Sequence, residues 1–244
     1  MGEQIRLDVL LTKRGHFSSR TKAQAAIAAG LVIVNGKIIE KSGQIVPDCA
    51  ILKVTQSDNS LVGRGGEKLR YALQNFNIDV NAKICLDVGA STGGFTQVLL
   101  ENGASLVFAI DVGHSQLAEV LRDDSRVVNI EHCNFRYFYS TQLSPIPNFA
   151  CVDVSFISLK LILPKLAECL QNGAEAVCLI KPQFEAGREA LNKHGVVKND
   201  KIHAHVLEEI KQAATDYGFT VNGVCESPIL GGSGNKEFLM SIIR

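Results

Sequence analysis

The sequence has no run approaching the ~18 consecutive apolar residues that a membrane-crossing helix requires, which excludes a helical span on length alone. Its first residues, "MGEQIRLDVLLTKRG", lack the apolar core that follows the basic start of a secretory leader. The seven cysteines are odd in number and never spaced as CxxC. That excludes a disulfide framework and a cysteine-ligated zinc site, and it points to a reducing compartment, expected to be the cytoplasm. His16, His114, His132, His194, His203 and His205 form neither a metal-ligand set nor a catalytic triad, and no metal is expected. Net charge is also absent, since 25 Lys and Arg balance 25 Asp and Glu.

What is present is a chain of 244 residues, 46% hydrophobic, which suits one large domain or one ordinary domain with a small appendage. The zero net charge hides an asymmetry. Residues 1–58 hold eight Lys/Arg against five Asp/Glu, leaving seventeen against twenty for the rest, so a basic segment precedes a mildly acidic one. A basic first part is the arrangement expected of a module that touches phosphates.

Within that part, "IRLDVLLTKRG" reads as a short helix stopped by Gly15. "SSRTKAQAAIAAG" reads as a second helix with serines able to cap it, ending at Gly30. "LVIVNGKII" then alternates around Asn35-Gly36, the strongest short hairpin signal. Arg20 and Lys22 fall in the first turn of the second helix, where cations oppose the helix dipole, a placement easier to understand if phosphate also binds there. Here the residues become familiar. "RLDVLL" and "SSRTKAQAAIAAGLVIVNGKII" resemble the αL-type RNA-binding module over roughly residues 5–52. The resemblance implies that Arg6, Arg20, Lys22 and Lys41 lie on structured RNA and contact phosphates more than base edges.

After the polar connection "TQSDNSLVGRGG" the rhythm changes to alternating strands and helices: the helix "GEKLRYALQNF", then "ICLDVG" (strand), "GGFTQVLLENG" (helix), "SLVFAIDVG" (strand), "SQLAEVLR" (helix), "RVVNI" (strand), "FACVDVSF" (strand), "LKLILPKLAECLQNG" (helix), "AEAVCLIK" (strand) and a helix around Ile202–Tyr217. Such alternation predicts a parallel sheet covered on both faces. The final two strands, "TVNGVCES" and "EFLMSIIR", follow one another without a helix and predict an antiparallel hairpin at the sheet's end. The expected domains are therefore 1–58 and 62–244, the first a small α+β module and the second a Rossmann-like α/β domain.

Ligands of such sheets bind beyond the carboxyl ends of the strands. The first strand ends in "DVGASTGGFTQ", where Asp87, Gly89, Ser91, Gly93, Gly94 and Phe95 form a glycine-rich turn opening a helix. The second ends in Asp111, 22 residues after Gly89 and placed to accept hydrogen bonds from ribose hydroxyls. A glycine turn plus an acid fits nicotinamide dinucleotides and S-adenosylmethionine (SAM) about equally. SAM is favoured because GASTGG departs from G-x-G-x-x-G, no second substrate domain follows, and a C-terminal hairpin is typical of methyltransferases. Asn134, in "HCNFR", is either an adenine contact or a turn former.

"GRGGEKL", "DVSFISL", "KPQFEAG" and "GNKEFL" place Lys68, Asp153, Lys181 and Glu237 at strand ends or just before strands. Together they resemble the Lys-Asp-Lys-Glu set of the FtsJ-like ribose methyltransferases. From about residue 5 to residue 243 the chain is similar to the TlyA family of ribosomal RNA 2′-O-methyltransferases. Two departures are visible: Gly63 stands where that family often has serine, and "NKHGVV" replaces a more glycine-rich turn. The resemblance implies SAM as methyl donor, no metal, and a cytidine 2′-hydroxyl in ribosomal RNA of one or both subunits as acceptor, with the chain acting as a monomer. Lys181 would lie beside the 2′-oxygen, Lys68 and Glu237 would position it, and Asp153 would pair with a lysine. The alternatives are an RNA-binding assembly factor with a non-catalytic SAM site, a nicotinamide oxidoreductase, and the haemolysin-type activity that some relatives are named for.

Overall fold

The computed structural model describes residues 4–17, 20–54 and 61–244, and the chain divides into two compact units, 1–60 and 61–244. In the first unit, strand β1 (Gln4–Arg6) leads directly into helix α1 (Leu7–Lys13), and helix α2 (Arg20–Ala28) follows. Four short strands come next: β2 (Val32–Val34), β3 (Lys37–Ile38), β4 (Ile45–Pro47) and β5 (Leu52–Val54). Asn35 and Gly36 both adopt positive φ (50° and 83°), the conformation a two-residue hairpin between β2 and β3 demands. The helix expected from Ile5 starts two residues later. Residues 4–6 pair instead with β4, and Arg6 stays extended at φ −65°, ψ 138°. The serines expected to cap α2, Ser18 and Ser19, lie outside the described residues, as do residues 55–60 of the polar connection. A compact core of Leu7, Leu10, Leu11, Ala23, Ile27 and Val32 holds the unit, and the alanines of α2 keep that helix slim where it meets α1.

The second unit opens with helix α3 (Gly65–Asn75) and strand β6 (Ile84–Val88), followed by α4 (Gly94–Glu101), β7 (Leu106–Ile110), the single turn α5 (Glu119–Arg122) and β8 (Val127–Ile130). Strand β9 (Phe149–Val152), helix α6 (Leu163–Cys169), β10 (Glu175–Ile180) and a short helix α7 (Pro182–Glu185) come next. Then α8 (Asp200–Asp216), β11 (Thr220–Glu226) and β12 (Phe238–Ile243) complete the chain. The strands form one seven-membered sheet in the order β11-β12-β10-β9-β6-β7-β8, parallel except for β12, which runs antiparallel to both β10 and β11. The central strands are apolar on both faces because both are covered. Leu86 and Val88 of β6 meet α6 and α8, whereas Cys85 faces the cluster built on α3 and α4.

Three elements depart from the sequence reading. The helix expected over "SQLAEVLR" shrinks to α5, because Ser115 turns at φ 50° and the backbone N–H groups of Ser115 and Gln116 donate to Glu131. The strand expected through "FACVDVSF" ends at Val152, which leaves Asp153 beyond the sheet. The helix expected over "LKLILPKLAECLQNG" splits into a 3-10 turn at Leu159–Leu161 and α6, with Pro164 in the first turn of the latter.

Two features set the position of the site. Chain order reverses between β6 and β9, which makes their shared carboxyl edge the crevice where ligands of such sheets bind. The antiparallel β12 begins at that same edge, since Phe238 lies opposite Ile180, so Glu237 stands beside the end of β10. Helix α3 reaches the edge by packing closely on α4: a Cβ on Gly66 would meet the Gly94 carbonyl oxygen at 2.7 Å. Gly66→Ala is expected to destabilise the protein by about 1–3 kcal/mol through overpacking against backbone, read as a lower urea midpoint at unchanged slope.

Candidate active site

Two ammonium–carboxylate pairs stand at the carboxyl edge of the sheet. Lys68, in the first half of α3, places Nζ 2.6 Å from Glu237 Oε2, and both side chains are almost entirely buried. Lys181, the residue after β10, places Nζ 2.6 Å from Asp153 Oδ1. That approach is off the hydrogen-bond direction, so Oδ1 counts as an ion-pair partner without a directed bond, and Lys181 aims its directed bond at Ser155 Oγ, 2.9 Å away. Removing one member of such a buried pair strands the other charge, which makes the pairs interdependent.

Two clefts meet at these pairs. The first, of about 260 Å³, is lined by the glycine turn (Gly89, Ser91, Gly94, Phe95) together with Lys68 and Asp153. The second, of about 750 Å³, is lined by Ser155, Phe156, Phe184 and Arg188 together with Lys181 and Glu237. Each ion pair therefore contributes one side chain to each cleft, and the tetrad forms the partition between them.

The turn beneath the first cleft depends on its glycines for its own packing. Gly89 has φ +87°, and a Cβ there would lie 2.3 Å from the carbonyl oxygen of Asp153. Gly93 has φ +94°, and a Cβ there would lie 2.3 Å from the Leu121 side chain. Helix α4 begins at Gly94 without a side-chain cap, and Gly94 lines the cleft together with Asp153. An uncapped helix start beside a carboxylate fits a cofactor that carries polar groups and a positive charge.

Residues 61–244 match the FtsJ-like methyltransferase family, and residues 5–52 match the S4 domain. The chain belongs to the FtsJ-like methyltransferase family. A Bacillus subtilis protein named as an rRNA methyltransferase, YqxC, is 46% identical over 238 residues, covering 97% of this chain and 85% of that protein. The 16S/23S rRNA (cytidine-2′-O)-methyltransferase TlyA of Mycobacterium tuberculosis is 41% identical over 241 residues, covering 98% of this chain and 90% of that protein. A solved Streptococcus thermophilus protein that carries a hemolysin name is 47% identical with TM-score 0.75, covering 100% of this chain and 90% of that chain.

In this FtsJ-like methyltransferase the remaining expected residues fall in several settings. Asp111 joins two loops, its Oδ2 accepting from Ser91 N–H (2.8 Å) and its Oδ1 from Gly113 N–H (2.6 Å). Both oxygens keep a lone pair for a further donor. Asn134 is exposed and its Oδ1 accepts from Arg136 N–H (3.2 Å), capping a 3-10 turn, the turn-forming role weighed against adenine contact. Gly63 leaves room that Thr92 fills, since a Cβ there would lie 2.6 Å from Thr92 Oγ1. In the first unit Arg6 and Arg20 both contact Asp8, while Lys22 and Lys41 are exposed.

Several contributors had no signal in the sequence. Gln183 donates from Nε2 to Glu237 Oε1 (3.3 Å), and a Cβ at Gly231 would meet that same oxygen at 1.9 Å, so Glu237 is confined on two sides. Ser155 is the hydrogen-bond acceptor of Lys181. Phe156 is 91% exposed at φ +62°, an uncommon conformation for a bulky residue, with its ring centroid 5.0 Å from that of Phe184. Glu185 fastens the loop that carries Phe156 by accepting from Leu159 N–H (2.8 Å) and Ser158 Oγ (2.5 Å).

Asp87 lies beneath the glycine turn, fully buried, with Oδ2 accepting from Thr96 Oγ1 (2.7 Å) and Oδ1 without a hydrogen-bond partner. Burial pushes its carboxyl up to about 7, opposed by the Thr96 hydrogen bond and reinforced by the charge of Asp153. The folded protein thus holds a proton that the unfolded chain releases at its ordinary carboxylate value. The resulting stabilisation is present below about pH 4 and is lost as pH rises through 7. Asp87→Asn is expected to abolish this slope, so that wild type minus variant unfolding free energy falls by about 2–3 kcal/mol between pH 5 and pH 8 in denaturant melts.

Proposed function

We propose that the protein transfers a methyl group from SAM to the 2′-hydroxyl of a cytidine in ribosomal RNA. The observation that carries this reading is the partition built by Lys68–Glu237 and Lys181–Asp153, with one cleft on each side. A transfer reaction between two bulky reactants needs such a wall, thin enough for the donor and acceptor atoms to meet and dry enough to exclude water. When bound, SAM supplies an electrophilic methyl on a sulfonium. The first cleft would hold it through the glycine turn and the start of α4, with Asp111 bracing Ser91 from behind and Asp153 supplying a charge to balance the sulfonium.

The acceptor enters from the second cleft. A ribose hydroxyl is a poor nucleophile near neutral pH, so its oxygen must shed a proton as it attacks. Lys181 stands beside it, held by Asp153 and Ser155, and stabilises the oxygen as negative charge develops. Glu237, confined by Lys68, Gln183 and the glycine at 231, fixes the other side of the hydroxyl. With SAM bound, formation of the O–CH₃ bond would break the C–S bond and release the sulfur as a neutral thioether, while the hydroxyl proton would pass to Lys181 Nζ in its amine form, the ammonium so formed lying 2.6 Å from Asp153 Oδ1. Alignment of the two reactants supplies a large share of the barrier reduction, ~7–11 kcal/mol where geometry is well held.

The acceptor class is supported by the S4 domain at residues 5–52 and by the names of the relatives. The exposed Phe156 ring, lying against half-buried Phe184, also offers an unpaired base an aromatic surface. No helix among the described residues is long and apolar enough to cross a membrane, in keeping with work in the cytoplasm on ribosomal subunits. All four tetrad residues come from one chain, so this part of the site draws on no second copy.

Radiolabelled methyl from SAM should enter small subunits, large subunits or both, as alkali-resistant ribose methylation at a single nucleotide per modified RNA. Lys181→Ala should lower the rate at least ~100-fold while leaving SAM binding within about twofold, the signature of lost transition-state help rather than lost binding. Absence of SAM binding by the wild-type protein would overturn the reading.

A further inference from the structure

Asp8 gathers more hydrogen-bond donors than any catalytic side chain described above. Its Oδ1 accepts from Arg6 Nε (3.1 Å) and from Val9 N–H (2.9 Å). Its Oδ2 accepts from Arg6 Nη2 (3.0 Å), Arg20 Nη2 (3.1 Å) and Gln24 Nε2 (2.7 Å). The carboxylate has no solvent exposure, whereas the Arg6 and Arg20 side chains above it remain 48% and 55% exposed. The acid is therefore roofed by its own partners at the surface rather than sunk in the core, and those partners hold it well below the usual carboxylate range. These donors favour the ionised acid in the folded chain and so add stability at neutral pH. Their further consequence is geometric, because the guanidiniums of Arg6 and Arg20, two and twelve residues from Asp8 in sequence, are drawn to one carboxylate with donors to spare.

We propose that Asp8 is a positioning residue for RNA recognition: it locks Arg6 and Arg20 into a preset two-pronged phosphate clamp. The inference rests on the reading that the first unit binds RNA. It runs against simple charge counting, since an acid under two phosphate-binding arginines lowers the local positive charge and should weaken attraction. The gain lies in side-chain freedom already lost before RNA arrives. An amide at this position could not reproduce the arrangement, because its NH₂ would face a guanidinium that also has only donors.

The test measures affinity of the full chain for ribosomal RNA across a salt series, with methyl transfer at saturating RNA alongside. Asp8→Asn makes the protein more positive, yet it is expected to bind RNA about fivefold to tenfold more weakly. The slope of log affinity against log salt should stay unchanged, and the rate at saturation should match wild type. Arg6→Ala, by contrast, should reduce that slope by about one contact. Arg20→Lys keeps every charge and the acid, so it should also weaken binding, and it serves if Asp8→Asn melts early. Binding by Asp8→Asn equal to or tighter than wild type, with an unchanged melt, overturns the proposal. So does full affinity in Arg20→Lys. Loss of affinity in Arg6→Ala alongside either result would leave the RNA-binding reading standing. Wild-type protein that binds no RNA would instead remove that reading.

Discussion

Four charged side chains held nearly out of water at one end of a sheet are the constraint around which the larger unit is arranged. Desolvating an ammonium or a carboxylate costs several kcal/mol even after relaxation, and a partner offsets that only when the geometry is close and the remaining donors and acceptors are engaged. The pairs at 2.6 Å meet the first condition. Ser155 and Gln183 help meet the second, and the missing side chain at Gly231 leaves space for Glu237. Much of the architecture serves the same end. Strand β12 runs antiparallel so that Glu237 begins at the edge where β10 ends, and the Gly66–Gly94 approach lets α3 carry Lys68 to it.

The same arrangement divides the space above the sheet. Because each pair shows one member to each cleft, the groups that would contact a sulfonium and those that would contact a hydroxyl are coupled through bonds shorter than 3 Å. Asp87 extends the coupling downward: it sits under the glycine turn, and the charge of Asp153 raises its proton affinity. Charge on one side of the partition is thus felt beneath the other, in a medium where such effects are weakly screened.

The smaller unit solves a related problem with opposite means. It too surrounds a carboxylate with cations, but here the acid is covered while the cations above it stay half in water. The core beneath is small, and β1 gains its hydrogen bonds by pairing with β4 across about forty residues of chain. Arg6 sits at the junction of β1 and α1, so the backbone that fixes that strand also fixes one arm of the Asp8 network.

Much of this was legible from residue order. Alternating apolar segments specify a parallel sheet because both of its faces must be covered, Asn35-Gly36 specifies a hairpin because both positions need positive φ, and the glycines at 89 and 93 mark a close backbone approach. Asp153 and Lys181 stood at predicted strand ends, and the set they form with Lys68 and Glu237 stood out through its resemblance to that of the FtsJ-like ribose methyltransferases. What residue order could not contain were relations across long sequence separations. Lys68 meets Glu237 across 169 residues, and Asp8 gathers donors from Arg6, Arg20 and Gln24. Phe156, Gln183 and Ser155 read as ordinary loop residues until the loops were folded against each other. The short α5 and the early end of β9 likewise followed from contacts with Glu131 and from the turn at Phe156, both tertiary in origin. Local sequence determined the elements and the chemistry available at their ends, because propensity and periodicity act over a few residues. Which charge paired with which, and which cleft each faced, was decided only by the tertiary structure, since electrostatic partners in a dry site are chosen by distance in space.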